Sequence, residues 1–155
     1  MGTGSRAAPV NTFRDALGVA MAIAEDYAFA NAAVLVEPGG RIHDIGIVEG
    51  IGTSIDGLTR WVVAALGGAA AARQGRRSPP LRVLLISVRP FEVDTIRESD
   101  LRRYREASWA VANTGADLLD WIETDGDLFR SYAYTTCPGV AWPDDPPQDR
   151  QDDAS

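Results

Sequence analysis

The spacing of apolar positions changes several times along the chain, and each change predicts an element. Phe13, Leu17, Ala20, Met21 and Ala24 recur at three- and four-residue intervals, which predicts an amphipathic helix with Asn11 or Thr12 as its cap. The apolar run Ala32 to Val36 is short and unbroken, as in a strand covered on both faces. Glu37-Pro38-Gly39-Gly40 predicts a hairpin turn into a second strand over Arg41 to Val48, which Gly50-Ile51-Gly52-Thr53 ends. Leu58, Trp61, Val62, Ala65, Leu66 and Ala69 then form a continuous helical stripe, capped by Ser54 or Asp56 and stopped by the Gly75 to Pro80 loop. Leu81 to Ile86 is a core strand.

After an irregular loop, Thr95-x-x-Glu98 has the form of a capping box. It opens a helix to about Asn113 that faces inward through Leu101, Tyr104, Ser108 and Val111. Two last strands, Asp117 to Glu123 and Leu128 to Tyr134, flank Thr124-Asp125-Gly126-Asp127, a strong hairpin signal. The order is α-β-β-α-β-α-β-β, which predicts an α/β (α+β) fold with a mixed sheet flanked by helices. Residues 1–10 read as a disordered leader, 11–136 as one domain, and 137–155 as an acidic, Pro-rich disordered tail.

Composition narrows the function classes. A chain of 155 residues fits one domain, and no apolar run reaches the roughly 20 residues needed to cross a bilayer. The polar start, with no apolar segment directly after it, does not read as a signal peptide. Cys137 is the single cysteine, which excludes an internal disulfide and points to a cytoplasmic chain. A net charge of −7 argues against nucleic acid as a partner, because binding phosphate needs a basic face. The cluster Arg73, Arg76 and Arg77 reads as a solvated loop. All 15 basic residues are arginine, which with abundant Ala, Gly, Asp and Arg suggests a GC-rich genome.

The candidate chemistry lies between Ser87 and Asp100, since ligands of α/β sheets gather beyond the C-terminal end of a central strand. With a single histidine, His43, the chain has no two-histidine zinc site there. Asp100 falls in the first turn of a helix, where a carboxylate favours the helix dipole by itself, and it can also pair with Arg89 or Arg97. Arg89 and Arg97 could form an anion pocket beside that helix N-terminus, or simply a solvated, salt-bridged loop. His43, on a strand beside Asp44, reads as structural or surface-exposed, and Cys137 as a structural thiol or tail residue. No phosphate loop, Ser/His/Asp arrangement or Cys-x-x-Cys pair occurs.

Several strings, in order, resemble the JAB (JAMM/MPN) metallopeptidase domain of RadC-type bacterial proteins over roughly residues 30–135. That family has His-x-His-Pro, a short loop and Ser-x-x-Asp opening a helix, all after a core strand. Here Leu84-Leu85-Ile86 precedes Ser87-Val88-Arg89-Pro90, and Arg97-Glu98-Ser99-Asp100 follows at the same spacing. Asp117 to Ile122 is similar to a strand reading Leu-Asp-His-Ile, with Trp121 where histidine is usual. Asp125-Gly126-Asp127 resembles a Gly-Asp-Gly hairpin, and Gly52-Thr53 the Gly-Thr before the second helix. The resemblance implies a JAB-like fold.

It also implies that the metal ligands are lost. The two imidazoles become Ser87 and Arg89, and arginine repels a cation. The oxyanion-supporting serine becomes Arg97, and the family's glutamate, expected near Asp44 or Ile45, has no clear counterpart. The reading that follows is a catalytically inactive pseudoenzyme without a metal or other cofactor. Its old cleft (Ser87, Arg89, Arg97 and Asp100) would hold an anion, a peptide or a protein terminus. Two rivals stand beside it: a Roadblock/profilin-like regulatory module, and an enzyme that uses Asp100, Glu92 or Asp94 with His43. A JAB-type hydrolase with a non-standard site would be the enzyme form of the leading reading. The first rival differs after Ile86, where it would run directly into a hairpin.

Overall fold

A computed structural model describes residues 9–50, 55–72, 81–90 and 97–133. Three helices and five strands follow in the predicted order: α1 (Phe13–Asp26), β1 (Ala30–Val36), β2 (Ile42–Glu49), α2 (Ile55–Ala72), β3 (Arg82–Val88), α3 (Glu98–Ala112), β4 (Asp117–Thr124) and β5 (Phe129–Ser131). The strands form one mixed sheet in the order β2-β1-β3-β4-β5. β1 pairs antiparallel with β2 and β3, β3 pairs parallel with β4 through α3, and β4 returns antiparallel as β5. The parallel pair β3–β4 therefore has its C-terminal ends beside the start of α3.

Strand side chains alternate between two cores. On one face Ala32, Val34, Leu84, Ile86 and Ile122 meet Ala16, Ala20 and Ile23 of α1. On the other Ala33, Leu35, Val83, Leu85 and Trp121 meet Leu58, Val62 and Leu66 of α2 and Ala107 and Val111 of α3. This three-layer arrangement explains why β1 and β3 read as unbroken apolar runs, for both of their faces are covered.

Local signals account for most boundaries. Thr12 caps α1 in a full capping box with Asp15. Gly40 closes the β1–β2 turn with φ +98, and its amide donates to the Glu37 carbonyl at 2.8 Å. Gly126, with φ +102, sits in the β4–β5 turn, whose Asp125 carboxylate accepts from the Asp127 and Leu128 amides at 2.8 Å each.

Three boundaries differ from expectation. Val10, assigned to the leader, is fully buried, and its amide donates to the Gly40 carbonyl at 2.7 Å, so the packed domain begins before Asn11. The cap of α3 is Arg97, whose side chain makes no capping hydrogen bond, so the helix starts later than the Thr95 box implied. Thr95 itself lies outside the described residues. The last strand stops at Ser131, and Tyr132 and Ala133 turn helical. There the buried Asp120 carboxylate takes over as acceptor, receiving the Ala133 amide at 2.9 Å and the Ser131 hydroxyl at 2.5 Å. Residues 1–8 and the 137–155 tail, with Cys137, lie outside the described residues, as do Arg73, Arg76 and Arg77.

Candidate functional site: an arginine–carboxylate cluster at the sheet end

Odd-numbered residues of β1 and β3 face α2 and α3, so Asn31 and Ser87 share that face with Ala33 and Leu85. Arg89 follows two residues after Ser87, and its amide donates to the Thr124 carbonyl at the end of β4. On β4 the same face carries Trp121 and Glu123, and on β5 it carries Arg130, which stands opposite Glu123, and then Tyr132 beyond the strand. The first turn of α3 brings Asp100 over this end of the sheet.

Glu123 is the hub. Its carboxylate is fully buried, a state that needs paired and hydrogen-bonded partners. Oε2 accepts from Arg89 Nε at 2.8 Å and from Arg89 Nη2. Oε1 accepts from Arg130 Nη2 at 2.5 Å, from Arg130 Nε at 3.2 Å and from the Tyr132 hydroxyl at 2.8 Å. Both arginines thus approach with two nitrogens, a strong form of ion pair. Burial alone pushes the Glu123 carboxyl up, but hydrogen bonds from Arg130 and Arg89, the charge of Arg89 and the Tyr132 hydroxyl outweigh it. Together they hold the group below the ordinary carboxylate range. Tyr132 is pushed up, first by burial and then by the neighbouring Glu123 charge, so it remains a neutral donor.

Arg89 reaches further. Its Nη2 lies 3.9 Å from Asp100 Oδ1, and Arg103 Nη1 lies 3.7 Å from the same oxygen. Burial acts to lower the Arg89 pKa, but Glu123 and Asp100 together raise it, so the guanidinium stays charged between its two carboxylates. Glu123, Asp100, Arg89 and Arg130 cancel in charge. Arg103 adds one positive charge at the rim, where its side chain is 46% exposed and that of Arg89 is 40% exposed.

Beneath this cluster runs an uncharged chain. The Ser87 hydroxyl donates to Asn31 Oδ1 at 2.5 Å and accepts from Trp121 Nε1 at 2.8 Å. The Trp121 ring stacks on Tyr132 with centroids 4.3 Å apart and planes at 11°. Tyr104 of α3 meets the Tyr132 ring at 5.6 Å and ties the helix to the same column.

Of the four expected cleft residues, Arg89 and Asp100 converge. Ser87 does not reach the opening: it is buried and holds the core together, so it leaves the binding set. Arg97 caps α3 through its backbone, and its side chain is exposed and forms no ion pair among the described residues. Asp100 pairs with Arg89 and Arg103, and not with Arg97. Glu123, Arg130, Tyr132 and Arg103 were missed by sequence reasoning. A signal for two of them was present, because a hairpin at Asp125-Gly126 places Glu123 and Arg130 opposite each other.

His43 is far away. It lies level with Arg82 and Val83, at the other end of the sheet, and its Nδ1 is 3.4 Å from Glu37 Oε2. Six residues along β3 separate that level from Arg89, roughly 20 Å at the usual strand rise. His43 therefore cannot act together with Asp100, which overturns that form of the enzyme reading. Glu92 and Asp94 lie outside the described residues. Set against models of known families and against curated proteins, the sequence matches none.

Proposed function

We propose that this chain is a degenerate RadC-like JAB domain that has exchanged metal chemistry for an internal ion cluster and serves as a binding or regulatory module. The observation that carries the reading is the position of Arg89. It stands where the resemblance expects a metal-ligating imidazole, and its guanidinium occupies the space between two carboxylates, Glu123 and Asp100. The anionic recess is filled by a cation that the chain itself supplies. A divalent ion about 4 Å from that guanidinium would face a repulsion on the order of 8 kcal/mol at an effective dielectric of about 20.

Two further features favour this reading over its rivals. α3 lies between β3 and the β4–β5 hairpin, as a JAB-like arrangement requires, whereas a Roadblock/profilin-like module would pass from β3 directly into a hairpin. The distance of His43 from the cluster removes support for an acid–base pair there.

The ligand class follows from what remains open. The side chains of Arg89 and Arg103 are 40% and 46% exposed beside the first turn of α3, and the cluster has one surplus positive charge. An anion or an acidic peptide is the fitting partner. The test is a titration of the protein with inorganic phosphate and with an Asp/Glu-rich peptide, followed by NMR of the arginine Nε–H signals. Saturable shifts of the Arg89 signal, weakened in Arg103→Gln, are expected. Unmoved signals at high ligand concentration would remove the binding site from the proposal.

A further inference from the structure

Among the described residues β2 is paired on one side only, since the sheet order places it outermost beyond β1. Gly50 donates its amide to the Phe29 carbonyl at 2.9 Å, which turns the even-numbered amides of β2 towards β1 and the odd-numbered ones outward. The outward row is that of Ile45, Ile47 and Glu49. Among the described residues the Ile45 amide is occupied only by the neighbouring Asp44 carboxylate, at 2.9 Å.

The faces of this strand differ as well. Gly46 lies against the ring of Trp61 from α2, so that face is covered at its centre. Ile45 and Ile47 stand opposite Val34 and Ala32, on the α1 side, yet α1 packs over the middle of the sheet and leaves them 39% and 38% exposed. Val48 is 43% exposed on the other side. Charged residues and bulges commonly protect such an edge. Here the one irregularity, at Leu35/Val36, is confined to the start of β2 and leaves the ladder regular from Asp44 to Glu49.

We infer that β2 pairs antiparallel with β2 of a second copy of this chain, centred on Gly46, to form a two-fold symmetric dimer with a continuous ten-stranded sheet. The regular segment selects this register. Ile45 then faces Ile47 of the second copy, and the symmetry repeats the pair, so four isoleucines cover one another on the open side. Asp44 faces Val48 of the second copy, so no like charges stand opposite. A shift by one pair toward the start of the strand runs into the bulge, and a shift toward its end places Ile45 against Glu49. Pairing releases the Ile45 amide from Asp44 and gives it a carbonyl of the second copy.

The register has a direct test in the full chain carrying Cys137→Ser. With Asp44→Cys and Val48→Cys together, oxidation should link two chains covalently, while Asp44→Cys alone should not. Analytical ultracentrifugation of the unmodified chain should show a monomer–dimer equilibrium. Ile47→Pro removes an outward amide without touching the β1 ladder and should weaken that equilibrium about tenfold or more, with circular dichroism unchanged. A chain that stays monomeric at several hundred micromolar overturns the proposal. So does a dimer that ignores Ile47→Pro, or one that cross-links through Asp44→Cys alone.

Discussion

At the scale of single residues, a buried ion cluster dominates. Glu123 is the acceptor for two guanidinium groups and a phenol, so removing its charge takes a buried counter-ion from Arg89 and Arg130. Glu123→Gln is expected to cost about 3–5 kcal/mol of stability, measured by urea unfolding at neutral pH. The pH dependence has a definite sign. A carboxyl held below its unfolded value, near 4.3, gives stability that is fully present above that pH and is lost as the pH falls through the folded value. The unmodified chain should therefore lose stability more steeply than Glu123→Gln below about pH 5, and equal slopes would contradict the assignment. Ser87→Ala makes a contrasting case. It removes the acceptor of the buried Trp121 indole N–H, for about 1–3 kcal/mol, and should leave phosphate binding unaltered.

At the scale of elements, the periodicity of the sequence carried far. α2 was legible because Leu58, Val62 and Leu66 repeat at four-residue spacing, and all three are buried. β4 was legible as a strand, but its bulge was not: Leu119 is an extra residue that shifts Asp120 into register with Leu84. That one-residue shift lets Trp121 and Glu123 share the face of Ser87, a consequence of tertiary pairing that no local pattern encodes. The Arg89–Asp100 contact was foreseeable, since both residues flank one loop at one sheet end. The hairpin also put Glu123 opposite Arg130, but the burial of Glu123 was not legible, because a glutamate at a strand end ordinarily reads as solvated. Packing between elements also limits side chains that the sequence leaves free. A Cβ at Gly46 would lie 2.7 Å from the Trp61 ring. Gly46→Ala should therefore cost about 1–3 kcal/mol through displacement of that ring, read from thermal unfolding together with a change in tryptophan fluorescence.

At the scale of the whole molecule, the fold places its chemistry where α/β sheets usually place it, at the C-terminal ends of central strands. What differs is the content of that place. Three arginines and two carboxylates meet there, and they satisfy one another before any ligand arrives. The resulting unit has one cationic rim, at Arg89 and Arg103, which on the proposed reading meets a negatively charged partner. Among the described residues, no group of three or more His, Cys, Asp or Glu side chains converges in a way that could hold a metal ion. No helix among them is long and apolar enough to cross a membrane.

On the proposed reading Arg89 stands in for a metal between Glu123 and Asp100. Calorimetric titration of the full chain with zinc tests this most directly. No tight stoichiometric binding is expected in the unmodified chain. Tight one-to-one binding that disappears in Asp100→Asn would contradict it, because the recess would then accept a metal in spite of the arginine.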